Sequence, residues 1–455
     1  MPGSLSEKRA LFWLGAISAL AFALRAIVIV QSPESGLFAD MQDYHDRAVH
    51  ILSTGTLPPD AFRVPLFPLF VAGIFELFGQ SLAAVRIAQA ALGAATVALT
   101  YVLALRITTH RGALLAAFLV AVYPALLLYS VYLMAETLFA FLAILSLTLW
   151  AADRPRLALA AGLAIGAATL TRSTGLALAG GIGLAETFRL IVMRDELVGR
   201  ALARVSLIVV GCVLVLAPWT LRNYEMYGRL IPTDTSAGFN ALLGNYEGAT
   251  GRHPGLPAVE AAAQKYWSAA RNDVERSDVG LRVARDFVLA NPLRAVQLAM
   301  LKFAYLVGVE GREHAWGYSF HLQGRRTAQT VWAWGLAIIV SFPVLMTLAS
   351  IGGWRPGLSV SVVGVAVVTT LSCVTAIHLA SFGDSRFHVP WIPLLAVLAA
   401  RAIAPFSARP WTMSRQAIVA VWLVFLALAW KDQTAELLAV LPRLAASPVP
   451  LQLPY

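Results

Sequence analysis

The chain is 455 residues long, with 58% hydrophobic residues, 13% charged residues and a mean hydropathy of +0.70, whereas soluble domains run near 45–50% apolar and about 25% charged. No single soluble core hides that much apolar surface, so the composition excludes a soluble domain and points to an all-α polytopic membrane protein. The net charge of +10 falls mostly in short segments between apolar runs, as membrane topology dictates, and does not point to nucleic acid.

Apolar runs of roughly 17–25 residues, the length of a membrane-crossing helix, recur from Ala10 to Trp430. Lys8 and Arg9 precede Leu11–Val30, which is too long for a signal-peptide core and reads as a retained anchor with a cytoplasmic amino terminus. The next segment, Leu37–Pro68, then emerges on the outer face. It gathers Asp40, Asp43, His45 and Asp46 within seven residues, with Arg63 following, and reads as an active-site loop. Phe62–Phe78 carries Pro65 and Pro68 and is barely long enough to cross, so it is expected along the outer interface.

Basic clusters at Arg106–Arg111, Arg154–Arg156 and Arg189–Arg204 then fall on the inner side of spans at Leu82–Ile107, Ala113–Tyr129, Tyr132–Trp150, Leu157–Leu170, Gly175–Leu190 and Val205–Leu221. Residues 222–291 form a long hydrophilic outer loop with one or two small helices. Asn291–Val309 either spans or lies at the interface. Spans at Val331–Ser350, Leu358–Ala380, Val389–Ala404 and Trp411–Trp430 bring the total to 11 or 12. The units are a transmembrane catalytic module at 1–221 with its outer loop at 31–81, the loop 222–291, a transmembrane bundle at 292–430 and a tail at 431–455. Cys212 and Cys373 sit in apolar runs and read as packing residues.

An ionisable group in the bilayer needs a partner, an aqueous cavity or a task. Glu136, near the outer end of its helix, is either a capping carboxylate or a second acidic member of the Asp40 site. Arg172 and Arg222, both at the outer face, either anchor to lipid headgroups or bind phosphate through the planar guanidinium fork. Arg386 stands between Asp384 and His388 and suits a local ion pair as well as a ligand contact. Asp40, Asp43, His45 and Asp46 carry the oxygen and imidazole groups that hold divalent cations, without a recognised motif, so a divalent cation stays open. A lipid or small-molecule transporter is the rival class, but the paired broken helices it needs are not visible.

Several ordered motifs resemble the polyprenyl-phosphate-sugar-dependent glycosyltransferases of the GT-C fold, specifically the protein mannosyltransferase and aminoarabinose lipid A transferase group. They are Asp40 followed by Tyr44 and Gly55, the segment Arg63-Val-Pro-Leu-Phe-Pro, Glu136 in MAETLF, Arg172 closing a span, Pro218–Gly228, and Arg386–Pro390. The family often has Asp-Glu where this chain has Asp40-Met41. The resemblance implies inverting transfer of a sugar from a polyprenyl-phosphate donor to a hydroxyl of a glycan, lipid or protein acceptor. It implies a bacterial inner membrane enzyme with its site on the periplasmic face. Asp40 is then the general base and Glu136 orients a substrate. Arg63, Arg172, Arg222 and Arg386 are phosphate ligands, with Asp43 and Tyr44 beside them. It also favours Arg386 outside, and so Asn291–Val309 at the interface.

Overall fold

The computed structural model describes residues 6–32, 36–193, 198–253, 270–317, 327–355, 361–403 and 412–446, with isolated positions between them. The described residues are helical nearly throughout. Among the described residues seven helices are long and apolar enough to cross a membrane, and four shorter apolar helices accompany them.

Helix α1 (Glu7–Val30) leads into α2 (Asp40–Thr54), which ends at the left-handed Gly55, and α3 (Leu66–Phe78) packs on α2. Next come α4 (Leu82–Ala104), α5 (His110–Val122), the single-turn α6 (Pro124–Leu128), α7 (Glu136–Trp150), α8 (Pro155–Thr171), α9 (Leu176–Phe188) and α10 (Val198–Tyr227). The expected span Ala113–Tyr129 is thus broken at Tyr123, whose extended backbone (φ −68°, ψ 119°) is what the residue before a proline adopts. The span expected from Tyr132 starts at Glu136, because residues 130–135 form turns.

Close helix packing rests on small residues, as in membrane bundles generally. Gly162 of α8 and Gly211 of α10 face one another's helices so closely that a Cβ on Gly162 would stand 2.1 Å from the Ile208 carbonyl oxygen.

The second half contains α11 (Ser236–Gly244), α12 (Asp273–Ala290), α13 (Pro292–Leu306), α14 (Gly311–Trp316), α15 (Ala328–Trp354), α16 (Val362–Ala380), α17 (Ile392–Ile403) and α18 (Met413–Ala446). The last helix runs well past Trp430 into the segment expected as a tail, since residues 433–446 are rich in Leu and Ala, which favour helix. Within the expected hydrophilic loop 222–291, residues 254–263 and 265–269 lie outside the described residues.

The segments on either side of Asn291–Val309 dock at one end of the bundle. Before it, Asp273 accepts from the Ala61 amide and the Tyr227 hydroxyl, at 2.8 and 2.6 Å. After it, Glu310 and Glu313 contact His388 and Ser385. All these partners lie at the end of the bundle that holds Asp40, so α13 returns to the side it left. Arg25 and Glu186 show how buried charge is managed elsewhere. Arg25 donates to carbonyls of Ala21 and Ala121. Glu186, at the opposite end of the bundle, takes the Trp150 indole at 2.7 Å and Arg204 at 2.7 Å.

Candidate active site

Four separate pieces of chain meet at the α2 end of the bundle. Asp40 opens α2, where a carboxylate is favoured by the helix dipole. The preceding Ala39 has φ +45° and ψ −121°, a conformation rare for a residue with a side chain, and it turns the chain sharply into the helix. Glu136 is the first residue of α7, again at a helix start. Arg172 caps the end of α8 in an extended conformation. Arg386 sits in a 3-10 turn, Ser385–Phe387, that Asp384 caps by accepting its amide at 3.0 Å.

These groups form an alternating chain of charge. Asp43 Oδ2 accepts from Arg63 Nε at 2.8 Å, and Arg63 Nη2 reaches Asp40 Oδ1 at 2.5 Å. Asp40 Oδ2 accepts from Arg386 Nη1 at 2.6 Å, and Arg386 Nε donates to Glu136 Oε1 at 2.6 Å. Arg172 Nη1 closes the chain on the same Glu136 oxygen at 2.5 Å. Exposure falls along it, from 36% for the Asp43 side chain through 27% for Asp40 to 1% for Glu136. The site is therefore open at one end and sealed at the other.

Burial alone would push the Asp40 carboxyl up, but the Arg386 and Arg63 guanidiniums outweigh it and hold it well below the usual carboxylate range. Among the described residues, Glu136 Oε2 meets no hydrogen-bond partner. A buried carboxylate with an unused oxygen is costly, and it leaves an acceptor ready for a donor from outside the chain.

Other expected site residues stand one step back. Asp43 binds Arg47 as well as Arg63, and Arg47 in turn reaches Asp60 at 3.1 Å. The buried Tyr44 places its ring 5.0 Å from the Arg63 guanidinium and edge-on to Phe67. Both residues support Arg63. His45 and Asp46 contact each other, with Asp46 63% exposed, away from the Asp40–Glu136 chain.

Arg222 is not brought into the network. It donates to the Asp60 carbonyl at 2.9 Å and to that of Pro58, and its guanidinium lies 4.8 Å from the Trp219 ring. It braces the loop that carries Arg63. The divalent cation left open by the sequence does not fit these residues. Asp40, Asp43 and Glu136 each face guanidiniums already, and among the described residues no three His, Cys, Asp or Glu groups converge as ligands.

The sequence pattern missed four acidic and imidazole groups around this site. Asp234, ahead of α11, accepts from the Ser236 amide and hydroxyl at 3.1 and 2.8 Å. Burial pushes its carboxyl up while Arg63 pulls it down. Glu310, Glu313 and His388 lie behind the Arg386 turn. A signal existed for the first two, since Val-Gly-Val-Glu-Gly-Arg-Glu places two carboxylates three residues apart beside an apolar run.

Residues 59–220 match the profile of the family described as dolichyl-phosphate-mannose-protein mannosyltransferase. A search of curated proteins finds no match. Among solved structures, the oligosaccharyltransferase AglB from Archaeoglobus fulgidus, bound to an inhibitory peptide and a dolichol-phosphate, superposes with a TM-score of 0.55 at 15% identity, over 97% of this chain and 57% of that one. The apo form of the Archaeoglobus fulgidus oligosaccharyltransferase gives 0.53 at 15% identity over the same shares. ArnT from Cupriavidus metallidurans bound to undecaprenyl phosphate gives 0.43 at 16% identity, over 86% and 78%, which is too loose to carry any argument. The chain spans little more than half the length of the oligosaccharyltransferases it superposes on. The superposition nevertheless takes in 97% of this chain, which has the GT-C fold, and residues 59–220 of it match the mannosyltransferase family's model.

Proposed function

We propose that the protein is a membrane glycosyltransferase that moves a sugar, with inversion, from a polyprenyl-phosphate donor to an acceptor hydroxyl on the outer face of a bacterial inner membrane. The observation that carries this reading is the trio of guanidiniums paired with Asp40 and Glu136: Arg63 on Asp40, Arg386 bridging the two carboxylates, and Arg172 on Glu136. Planar guanidinium forks are matched to phosphate oxygens. Asp40 and Glu136 hold the arginines in place until a phosphate arrives.

An apolar cavity of 880 Å³ supports the lipid half of the donor. It lies between α13, α15, α16, α17 and α18, is lined by Phe303, Phe342, Val368, Leu395 and Trp422, and reaches His388, two residues from Arg386. A prenyl tail suits such a lining, because each buried CH₂ is worth about 0.8 kcal/mol.

The chemistry follows from the charge chain. As long as Arg63 and Arg386 grip both oxygens, Asp40 is a poor base. When the donor phosphate takes over these guanidiniums, Asp40 loses its stabilising partners and its basicity rises toward the value a general base needs. It then accepts the acceptor hydroxyl's proton while that oxygen attacks the anomeric carbon from the face opposite the phosphate. The bond from the anomeric carbon to the phosphate oxygen breaks, and its electron pair leaves with the polyprenyl phosphate, whose charge Arg386 and Arg172 stabilise. One displacement gives inversion. Glu136, with its free oxygen, orients a hydroxyl of the sugar or acceptor.

The test is release of polyprenyl phosphate by the purified full chain from undecaprenyl-phosphate hexose and pentose donors, with protein, glycan and lipid acceptors supplied in turn. Release that depends on both donor and acceptor, with an inverted anomeric centre in the product, is expected. Retained anomeric configuration would sink the single-displacement mechanism. Absence of release across the panel would sink the activity.

A further inference from the structure

The turn that carries Arg386 is held from behind at almost every residue. The Gly383 amide donates to the Gly251 carbonyl at 2.8 Å, and a Cβ on Gly383 would stand 2.0 Å from the Lys302 carbonyl oxygen. Asp384 pairs with Arg312, and Ser385 Oγ donates to Glu313 Oε2 at 3.2 Å. His388 Nε2 meets Glu310 Oε1 at 3.0 Å. Three side-chain contacts, from residues 384, 385 and 388, thus join this turn to residues 310–313.

Glu310 and Glu313 are both 0% exposed. Burying a carboxylate without full pairing is expensive, and well-packed apolar residues of similar volume are often neutral or stabilising in its place. Packing alone therefore gives no reason for two of them on one short segment. What they do have is aim. His388 Nδ1 faces the Leu306 carbonyl at 2.6 Å, an oxygen that can only accept, so Nδ1 carries a hydrogen. Nε2 and Glu310 Oε1 then close their contact with one shared proton. The Tyr123 hydroxyl donates to the same Glu310 oxygen at 2.6 Å, and the imidazole lies flat on Phe342 with centroids 3.7 Å apart. The ring has no freedom left, and it fixes the backbone two residues after Arg386.

We infer that Glu310 and Glu313 are positioning residues for Arg386, acting through His388 and Ser385 to aim its guanidinium at the donor phosphate. This rests on the glycosyl-transfer reading, in which Arg386 contacts that phosphate. A misplacement of about 1 Å at such a contact costs on the order of a hundredfold, so a group that never touches substrate can still govern its affinity.

The experiment is a double-mutant cycle on the full chain in nanodiscs, with undecaprenyl phosphate as the probe and the folded fraction of each variant matched beforehand. Arg386→Ala reports the donor contact itself. Glu310→Ala should weaken binding by roughly ten- to hundredfold, and the double variant should bind no more weakly than Arg386→Ala, since residues acting through one group are not additive. Glu310→Gln, whose amide group can donate to His388 Nε2 and to the Tyr123 oxygen, should bind nearly as wild type does. Should Glu310→Ala not fold, Ser385→Ala enters the same cycle and is expected to behave the same way. Binding equal to wild type in the folded variant, or additive losses in the double, overturns the positioning role. Unchanged binding in Arg386→Ala would instead overturn the donor contact, and this inference with it.

Discussion

Asp40 and Glu136 are tied to one guanidinium, that of Arg386, which donates from Nη1 to Asp40 and from Nε to Glu136 at 2.6 Å each. A lysine has a single ammonium on a flexible stem and cannot reproduce two bonds at fixed angles. Arg386→Lys is therefore expected to lower kcat/KM for a polyprenyl-phosphate sugar by about ten- to hundredfold although the charge is kept. Kinetics indistinguishable from wild type would show that any cation suffices there and would remove the fork from the mechanism.

Asp40→Asn is expected to keep the fold, since Arg63 retains Asp43 as a partner and Arg386 retains Glu136. It should lose transfer by ~10²–10⁴-fold, the scale for a positioned base. The pH dependence has a definite sign. The arginines depress the Asp40 carboxyl in the folded protein, so the stability its pairs contribute is present above the ordinary aspartate value of about 3.9 and is lost only as pH falls further. Thermal melts of wild type and Asp40→Asn should run parallel from pH 7 to 5. A stability loss in that range confined to the wild type would show that Asp40 is not held this way.

Arg222 separates two meanings that residue type alone does not distinguish. Its position in Pro218–Gly228 resembles a phosphate ligand, yet its partners are the backbone carbonyls of Pro58 and Asp60. Arg222→Lys should therefore lower thermal stability, by about 1–2 kcal/mol for the hydrogen bonds lost, and leave the KM for the donor unchanged. A raised KM at unchanged stability would return Arg222 to the phosphate.

The sequence revealed most of what lies at the ends of apolar runs. Asp40, Glu136, Arg63, Arg172 and Arg386 stood out because charge next to lipid is costly and needs a reason, and the fold brings these five side chains into one chain of contacts. Local chemistry also marked Pro65, which precedes α3, whereas Pro124, which opens α6, lay inside an expected span. Three things could not be read locally. The role of Glu310 depends on His388, a partner 78 positions away. Two of the partners of Arg222, Pro58 and Asp60, offer backbone carbonyl oxygens, which every residue has. Whether Asn291–Val309 crosses the membrane depends on where its neighbours dock, and neither length nor charge encodes that.

The last prediction concerns Glu313, which no substrate reaches. Burial is the largest cause raising its carboxyl, Asp384 and Glu310 add to it, Arg312 opposes them, and the result is a value of about 8. The Tyr132 hydroxyl donates to its backbone carbonyl and Ser385 to its carboxyl. A folded value above the unfolded glutamate value of about 4.3 means that the folded state holds a proton the unfolded chain releases. Stability from this group is therefore complete below about pH 4, declines as pH rises, and levels off above about 8. Glu313→Gln removes the titration and keeps the shape. At one fixed scan rate, the wild-type melting temperature should fall between pH 5 and pH 8 more steeply than that of Glu313→Gln. Parallel slopes would mean that Glu313 is already ionised at pH 5, and the protonated carboxyl behind the Arg386 turn would have to be abandoned.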